Sequence, residues 1–282
     1  MVLNFLTFDI EEWFHANYKG IHSSDYSPQS TNLESNVDRL INHCEKHNVK
    51  STCFILGDVA KEKPHIVKKL FNAGHEIASH GSSHKLIYPM TPSEFQTDLC
   101  NASDTLEQIV GQKVVGFRAP SWSVKHETLP WFYDILHQEG YLYSSSVYPG
   151  KNTLFGIDNF LETPHYPSSY PILEIPQSVL TLFGNRIGYA GGGYLRFFPT
   201  WFIKKIIKRK NSQGKSLFIY LHPREIDIHE PRLALELVDN YFHYQGVAGV
   251  EEKLNALLDA FGKSFIRMDE YAMRIKDGTI AL

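Results

Sequence analysis

The sequence reads STCFILG from Ser51 to Gly57, PHIVKKLFNAG from Pro64 to Gly74 and HEIAS from His75 to Ser79. The first segment is a short apolar run closed by a glycine, which predicts a strand over 51–56. The second combines an N-terminal proline, apolar residues at helical spacing and a terminal glycine, which predict a helix over 64–72. The third is short and strand-like. A strand, a helix and a second strand in succession are typical of a parallel βαβ unit.

The same alternation continues on both sides of this unit. It predicts further strands over 2–8, 114–117, 172–175 and 216–221, and further helices over 33–47, 92–109, 127–139, 200–210 and 250–261. Residues 149–193 are richer in Pro, Gly, Asn and Tyr, and only one strand is clear there. The pattern indicates a parallel sheet flanked by helices, either open or closed into a barrel. Because no linker interrupts it, a single domain over residues 1–282 is expected.

Composition excludes several classes of protein. With 282 residues, 43% of them hydrophobic and 21% charged, the chain has the content of a globular protein with a large core. Its net charge of −3 argues against a nucleic-acid-binding protein. No apolar run reaches the roughly 18 residues of a membrane span, and the N-terminus lacks the basic region of a signal peptide, so a cytoplasmic location is expected. The odd number of cysteines (Cys44, Cys53 and Cys100) suits reduced thiols better than a disulfide framework.

Polar residues follow several of the predicted strands, where parallel α/β folds carry their chemistry. Asp9 and Glu11 follow the first strand, and residues two apart on an extended chain point to the same face. By itself such a pair is more often a solvated acidic turn. His80 and His84 follow the third strand, and a single turn would bring both imidazoles to one metal ion. Neutral histidines without a ligand role are about as common.

Two histidines and one carboxylate form a three-ligand site with an open position, which is typical of a catalytic metal. Either Asp9 or Glu11 could supply the carboxylate, leaving the other as a base. Arg118 follows another strand and can keep a carboxylate ionised through a bidentate contact. Pro120 fixes the backbone so that the next amides can converge on an oxyanion. His222 ends an almost wholly apolar strand.

In this order, TFDIE (7–11), SHGSSH (79–84), FRAPSW (117–122) and YLHP (220–223) resemble the motifs of NodB-type polysaccharide deacetylases, carbohydrate esterase family four. EIPQS (174–178), GGGYLRFFP (191–199), HPREIDIHEPR (222–232) and FHYQG (242–246) are similar to the subgroup found in bacterial exopolysaccharide and O-antigen gene clusters. The resemblance implies a deformed (β/α) barrel of about seven strands, with a subgroup-specific segment from about residue 222. It also implies hydrolysis of an N-acetyl group from an amino sugar.

Site residues follow from the resemblance, position by position. It makes Asp9 the catalytic base, Arg118 the residue that orients Asp9, and His222 the general acid. It also makes the backbone N–H of Ser121 an oxyanion donor, and Glu11, His80 and His84 the ligands of one divalent ion. Zinc is the expected metal, with cobalt, nickel or iron as alternatives. Trp122 and Trp13 are expected to bind the sugar.

The sequence departs from the family pattern at three places. Its first motif has Asp9 and Glu11 separated by Ile10, where adjacent aspartates are common, and Ser121 stands where an aromatic residue is typical. Ser144 occupies a position where relatives usually carry an aspartate that supports the general acid. Glu174 or Glu225 is the expected replacement.

The expected partner is an N-acetylated sugar carried on a nucleotide, a lipid or a polymer, without nucleic acid and with at most peripheral membrane contact. The lysine-rich helix over 200–210 is either a solvated amphipathic face or a surface for anionic membranes or pyrophosphate. Gly191–Gly193 lack the residues of a phosphate loop and predict a tight turn near the pocket. Two alternatives stay open: a cyclic amide or imide hydrolase, and a catalytically silent carbohydrate-binding protein.

Overall fold

The computed structural model describes residues 2–15, 31–151, 155–167, 170–233 and 235–282. Its nine strands are β1 (Phe5–Ile10), β2 (Thr52–Ile55), β3 (Glu76–Ser79), β4 (Gly116–Phe117), β5 (Tyr143–Ser144), β6 (Leu173–Glu174), β7 (Val179–Leu182), β8 (Asn185–Gly188) and β9 (Phe218–Leu221). Seven of them form one parallel sheet in the order β6-β5-β4-β3-β2-β1-β9. The other two form an antiparallel hairpin, β7–β8.

Ten α-helices connect or flank these strands. They are α1 (Leu33–Lys46), α2 (Gly57–Glu62), α3 (Pro64–Asn72), α4 (Pro92–Val110), α5 (Leu129–Gln138), α6 (Gly192–Phe197), α7 (Thr200–Ser212), α8 (Leu237–Tyr244), α9 (Val250–Phe261) and α10 (Met268–Lys276) within the described ranges. None of these helices is long and apolar enough to cross a bilayer.

The two faces of the sheet pack differently because side chains alternate along each strand. On β1, Leu6, Phe8 and Ile10 join the large core cluster that contains the helix residues. Phe5 belongs to a second cluster on the concave face. Phe5, Thr7 and Asp9 are alternate residues of β1, so Asp9 lies on the same face of the strand as Phe5. The concave face of the half-barrel therefore carries the polar groups.

The expected fold is confirmed: the chain forms a seven-stranded parallel half-barrel, the deformed barrel of this fold class. The predicted helices over 64–72 and 250–261 agree with α3 and α9 residue for residue. The sequence pattern missed α2, α6, α8, α10, β5 and the β7–β8 hairpin. Most of these elements are short, since α2 and α6 have six residues each and β5 has two. So few residues carry little periodic signal.

Candidate metal and catalytic site

The two carboxylates of the first motif reach the same site from the end of β1. Asp9 is the second-last residue of the strand and Glu11 follows it directly. Both side chains are buried, at 2% and 4% exposure, and both line one cavity on the concave face. A solvated acidic turn is therefore excluded for this pair.

The two histidines of the second motif lie on a loop rather than on the predicted helical turn. His80 follows β3 and its backbone N–H donates to the carbonyl of Ile55, at 3.0 Å. The loop is then fixed to α4, because Asp98 accepts the backbone N–H of Ser82 at 2.9 Å. His84 reaches the site in a left-handed backbone conformation, with φ of 58°. The prediction of a turn was wrong, since the loop and not helical spacing brings the two rings to a centroid separation of 5.4 Å.

Glu11, His80 and His84 each offer a ligand atom, and these atoms lie within 4.8 Å of one another. His80 Nδ1 is 2.8 Å from the carbonyl oxygen of Arg118, to which it donates in the neutral ring, so Nε2 keeps its lone pair for a ligand role. Burial lowers the pKa of His80 to about 4, which keeps that ring neutral near pH 7. Burial opposes ionisation of Glu11, but the adjacent histidines, His84 first, outweigh it and hold its pKa well below the usual value. An anionic carboxylate beside two histidines fits the preferences of a divalent ion such as Zn²⁺.

Arg118 is fully buried and holds Asp9 in place. Its Nη1 donates to Asp9 Oδ1 at 2.6 Å and to Thr7 Oγ1 at 2.9 Å. Its Nη2 donates to Ser145 Oγ at 3.1 Å instead, so the contact with Asp9 involves one nitrogen and is not the bidentate pair expected from the sequence. The guanidinium also lies over the ring of Phe54, 4.0 Å from its centroid. This packing fixes its plane and compensates for its burial.

His222 extends from the end of β9 toward the same carboxylates. Its Nε2 is 3.8 Å from Asp9 Oδ2 and 3.6 Å from Glu11 Oε1. On the other side of the ring, Nδ1 lies 3.6 Å from Glu225 Oε2. Burial opposes protonation of His222, but the carboxylates of Glu225, Glu11 and Asp9 outweigh it and raise its pKa.

Of the two predicted replacements for the missing aspartate at Ser144, the geometry selects Glu225. Its carboxylate accepts the backbone N–H of His222 at 3.1 Å and lies 3.7 Å from Arg196 Nε. Glu174 is engaged elsewhere, since Oε1 accepts the backbone N–H groups of Ser146 and Val147 and Oε2 accepts the hydroxyl of Tyr133.

A cavity of about 390 Å³ opens onto these groups. Its wall contains Trp122, Tyr148, Phe155, Tyr194 and Tyr220 in addition to the site residues. Gly192 and Gly193, expected to form a tight turn near the pocket, line it at the start of α6, with φ of 50° at Gly192.

Two further predicted site residues, Ser121 and Trp13, occupy different environments in the structure. Ser121 lines the cavity in a left-handed conformation, with φ of 53°, next to Trp122 with φ of 48°. The oxyanion role of the Ser121 amide stays a prediction. Trp13 is buried in a small apolar cluster with Phe14 and Leu233 and is not part of the cavity wall. The predicted sugar contact of Trp13 therefore finds no support in the described residues.

Gln177 is a wall residue that the sequence analysis did not single out. Its side chain is 3% exposed, and Oε1 has no hydrogen-bond partner among the described residues. An unpaired buried amide oxygen is costly unless a ligand or water supplies the donor. The signal available in the sequence was its position in the EIPQS segment, which carried the family resemblance.

Comparison with family models divides the chain into two matched parts. Residues 5–138 match the model described as polysaccharide deacetylase. Residues 145–273 match a domain of unknown function, DUF3473.

Curated relatives match between about a third and a half of this chain. A peptidoglycan deacetylase-like protein of Gibberella zeae is 30% identical over 138 residues, covering 48% of this chain and 40% of that protein. A peptidoglycan-N-acetylglucosamine deacetylase of Bacillus cereus is 29% identical over 93 residues, covering 33% of this chain and 34% of that protein. The chain thus matches less than half the length of either relative.

Solved structures match the whole fold. A structure described as a polysaccharide deacetylase of Mycobacterium smegmatis superposes with a TM-score of 0.66 at 18% identity, covering 98% of this chain and 91% of that one. The Puue allantoinase superposes with a TM-score of 0.65 at 16% identity, covering 96% and 89%. At these identities the likeness concerns the fold alone.

Proposed function

We propose that the chain is a member of the polysaccharide deacetylase family, whose model matches residues 5–138, and that it hydrolyses the acetamide group of an N-acetylated amino sugar with the help of one divalent metal ion. Water adds to the acetyl carbonyl carbon and the C–N bond breaks. Acetate and a free amino sugar are the products.

The observation that carries the proposal is the buried cluster of Glu11, His80 and His84 beside a second carboxylate and a third histidine. A divalent ion held by these three residues supplies Lewis acidity, which acidifies water and polarises a carbonyl. Zinc suits the donor set, and cobalt, nickel or iron are alternatives.

Asp9 and His222 supply the proton transfers. Asp9 accepts a proton from the attacking water, and its contact with Arg118 orients its carboxylate. His222 donates a proton to the departing nitrogen, a role favoured by its raised pKa. General acid–base catalysis of this kind contributes about 10²–10⁴ in rate.

The substrate class is proposed from the family and from the wall of the cavity. Trp122, Tyr148 and Tyr194 offer aromatic faces on which sugar rings can stack. The similarity of the later sequence segments to the exopolysaccharide and O-antigen subgroup supports a sugar of surface-polysaccharide biosynthesis, carried on a nucleotide, a lipid or a polymer.

The test is acetate release from N-acetylated sugars presented on each of the three carriers. We expect release from at least one, abolished by a chelator and restored by Zn²⁺ or Co²⁺. Asp9→Asn should lower the rate by at least about 10², whereas Asp104→Asn, at an exposed position of α4, should leave it unchanged.

Two results would contradict the proposal. Sugar binding without acetate release from any carrier would identify a silent binding protein. Hydrolysis of a small cyclic amide or imide in place of the acetylated sugars would identify the other hydrolase.

A further inference from the structure

The charges of this chain are unevenly distributed along its sequence. Residues 175–224 contain nine Lys and Arg and no Asp or Glu, although the whole chain has a net charge of −3. All 31 acidic residues therefore lie outside this segment. The β7–β8 hairpin and α7 both lie in this segment. We call these two elements together the basic face.

Helix α7 buries one side and presents cations on the other. Ile203, Ile206 and Ile207 are buried in the core. Lys205, Lys208 and Arg209 are exposed and form no salt bridge within the described ranges. Lys210 and Lys215 differ, because both pair with Glu162 at 2.7 Å. The exposed cations of α7 are thus available to an external anion.

Exposed aromatic residues accompany these cations. Trp201 at the start of α7 is 67% exposed, and Phe183 at the tip of the hairpin is fully exposed. Between the hairpin and α7 lies a groove of about 440 Å³, lined by Leu180, Leu182, Trp201, Phe202 and Ile206, with Lys205 and Arg209 also in its wall. The basic face therefore combines apolar and cationic groups in one surface.

Phe183 is not explained by the stability of the fold. It occupies the first position of a two-residue turn with φ of 49°, followed by Gly184 with φ of 79°. Asn, Asp and Gly are preferred at such a position, and a bulky residue there is strained. Its ring buries nothing within the described residues. An exposed ring at a strained position suggests a contact outside the chain.

We propose that the basic face docks the chain peripherally on a bilayer surface that contains anionic phospholipids. Lys205, Lys208 and Arg209 are attracted to the lipid phosphates, while Phe183 and Trp201 enter the interface between headgroups and acyl chains. The aliphatic lining of the groove favours a lipid over a nucleic acid. Like charges on two copies of this face disfavour self-association through it.

The hairpin also abuts the cavity of the candidate site. Tyr148, a wall residue, donates its hydroxyl hydrogen to the carbonyl of Arg186 on β8 at 2.6 Å. A Cβ at Gly188 would lie 2.4 Å from the ring of Tyr194, another wall residue. Docking through the hairpin would thus bring the cavity close to the bilayer. The docking itself does not depend on the proposed function.

The test is co-sedimentation with vesicles of phosphatidylcholine alone and of phosphatidylcholine with one third phosphatidylglycerol. We expect binding to the anionic vesicles only, weakened by salt. The charge variant Lys205→Glu/Arg209→Glu and the aromatic variant Phe183→Asn/Trp201→Gln should each bind at least about tenfold more weakly. Asn suits the left-handed turn at 183, so the second variant keeps the hairpin.

Matched control variants test whether binding depends on the basic face itself or only on the overall charge and hydrophobicity of the protein. Lys68→Glu/Lys276→Glu removes two exposed lysines elsewhere, and Leu237→Gln removes an apolar side chain that is 90% exposed. Both should bind like the parent chain. A blue shift of tryptophan fluorescence on anionic vesicles, lost in Trp201→Phe, would support insertion of that ring.

Three results would overturn the proposal. They are absence of vesicle binding, equal binding to neutral and anionic vesicles, and binding that the two test variants do not change. Tight binding to single-stranded DNA without binding to vesicles would instead identify the face as a nucleic-acid surface.

Discussion

At the level of single residues, the proposed general acid His222 lies between two sets of carboxylates. Asp9 and Glu11 lie on the cavity side, and Glu225 lies 3.6 Å from Nδ1 on the other side. Glu225 can thus orient the ring and favour its protonated form, the role that the family resemblance implies for an aspartate at the position of Ser144. The carboxylate is itself buried and is steadied by Arg196, 3.7 Å away.

Replacing Glu225 with Gln should move the alkaline limb of the activity profile to lower pH. The raised pKa of His222 keeps its acid form available as pH rises, and removal of a neighbouring negative charge lowers that pKa. The measurement is kcat against pH, with Glu225→Asp expected to recover part of the parent profile. A lower kcat with an unmoved alkaline limb would mean that Glu225 has only a structural role.

Gln177 permits a second prediction about one residue. Its buried Oε1 lacks a partner in the described structure, and the residue lines the cavity of the candidate site. Gln177→Met keeps the length of the side chain and removes the acceptor, so kcat/KM should fall about 3- to 10-fold, as expected for one lost hydrogen bond. The assay uses the best acetylated sugar, and an unchanged kcat/KM would show that substrate does not meet this oxygen.

The polar residues at strand ends could be identified from the sequence, whereas the contacts that these residues make in the folded protein could not be predicted from it. Asp9, His80 and His222 could be selected because each lies at the end of a predicted strand. The left-handed backbone of His84 and the single-nitrogen contact of Arg118 depend on long-range partners, namely the anchor at Asp98 and the hydroxyl of Ser145. No local pattern encodes such partners.

At the level of elements, β3 is directly preceded by a buried histidine that the candidate site does not use. His75 is 1% exposed, and its Nδ1 accepts the backbone N–H of Ser51 at 3.0 Å, next to β2. Burial, reinforced by the positive charges of Lys50 and Arg267, lowers the pKa of His75 to about 4 from 6.5. The neutral ring is therefore part of the junction between the two strands.

This lowered pKa predicts acid destabilisation in a defined pH window. Below about pH 6.5, His75 binds a proton in the unfolded chain but stays neutral in the folded chain. The free energy of unfolding therefore falls as the pH drops toward 4. At roughly 1.4 kcal/mol per pKa unit, this loss reaches about 3 kcal/mol. His75→Asn keeps an acceptor for Ser51 and should remove that part of the loss. Urea unfolding at pH 7 and pH 4.5 measures it, and His126→Asn, at an exposed position, should behave as the parent chain.

The elements differ in how far the sequence could predict them. Long amphipathic helices such as α3 and α9 repeat their signal over several turns. The β7–β8 hairpin has a phenylalanine at its turn in place of the residues that normally mark one, and most of its side chains are exposed, so neither turn chemistry nor alternation indicates it.

At the level of the whole molecule, the two family matches share one sheet. The polysaccharide deacetylase match ends at residue 138, and the DUF3473 match contributes β6 and β9. β9 pairs with β1 along four residues, and Phe218 of β9 covers the guanidinium of Arg118 at 4.8 Å. We therefore expect the two matched parts to fold as one unit.

A fragment of residues 1–144 should accordingly fail to fold. It would expose the edge of β1, and the buried Arg118 would lose both its hydrogen bond to Ser145 and the covering ring of Phe218. We expect broad unfolding without a cooperative transition by circular dichroism, against a single transition for the whole chain. A fragment with a cooperative transition of its own would show that the second half is an added domain.

The metal site makes the last prediction, since its ligands come from two parts of the sheet. Glu11 follows β1 and the histidines follow β3, two strands that are separated by β2, so an ion bound by all three residues links them only in the folded state. A ligand that binds the folded state alone stabilises it by about 2.7 kcal/mol at 100 times its Kd, which corresponds to roughly 5–10 °C in Tm for a chain of this size. We expect Zn²⁺ or Co²⁺ to raise the Tm of chelator-treated protein by this amount.

Glu11→Gln should lose most of the shift in Tm, whereas Glu127→Gln, at an exposed position, should keep it. An equal shift in both variants would place the ion somewhere other than this cluster.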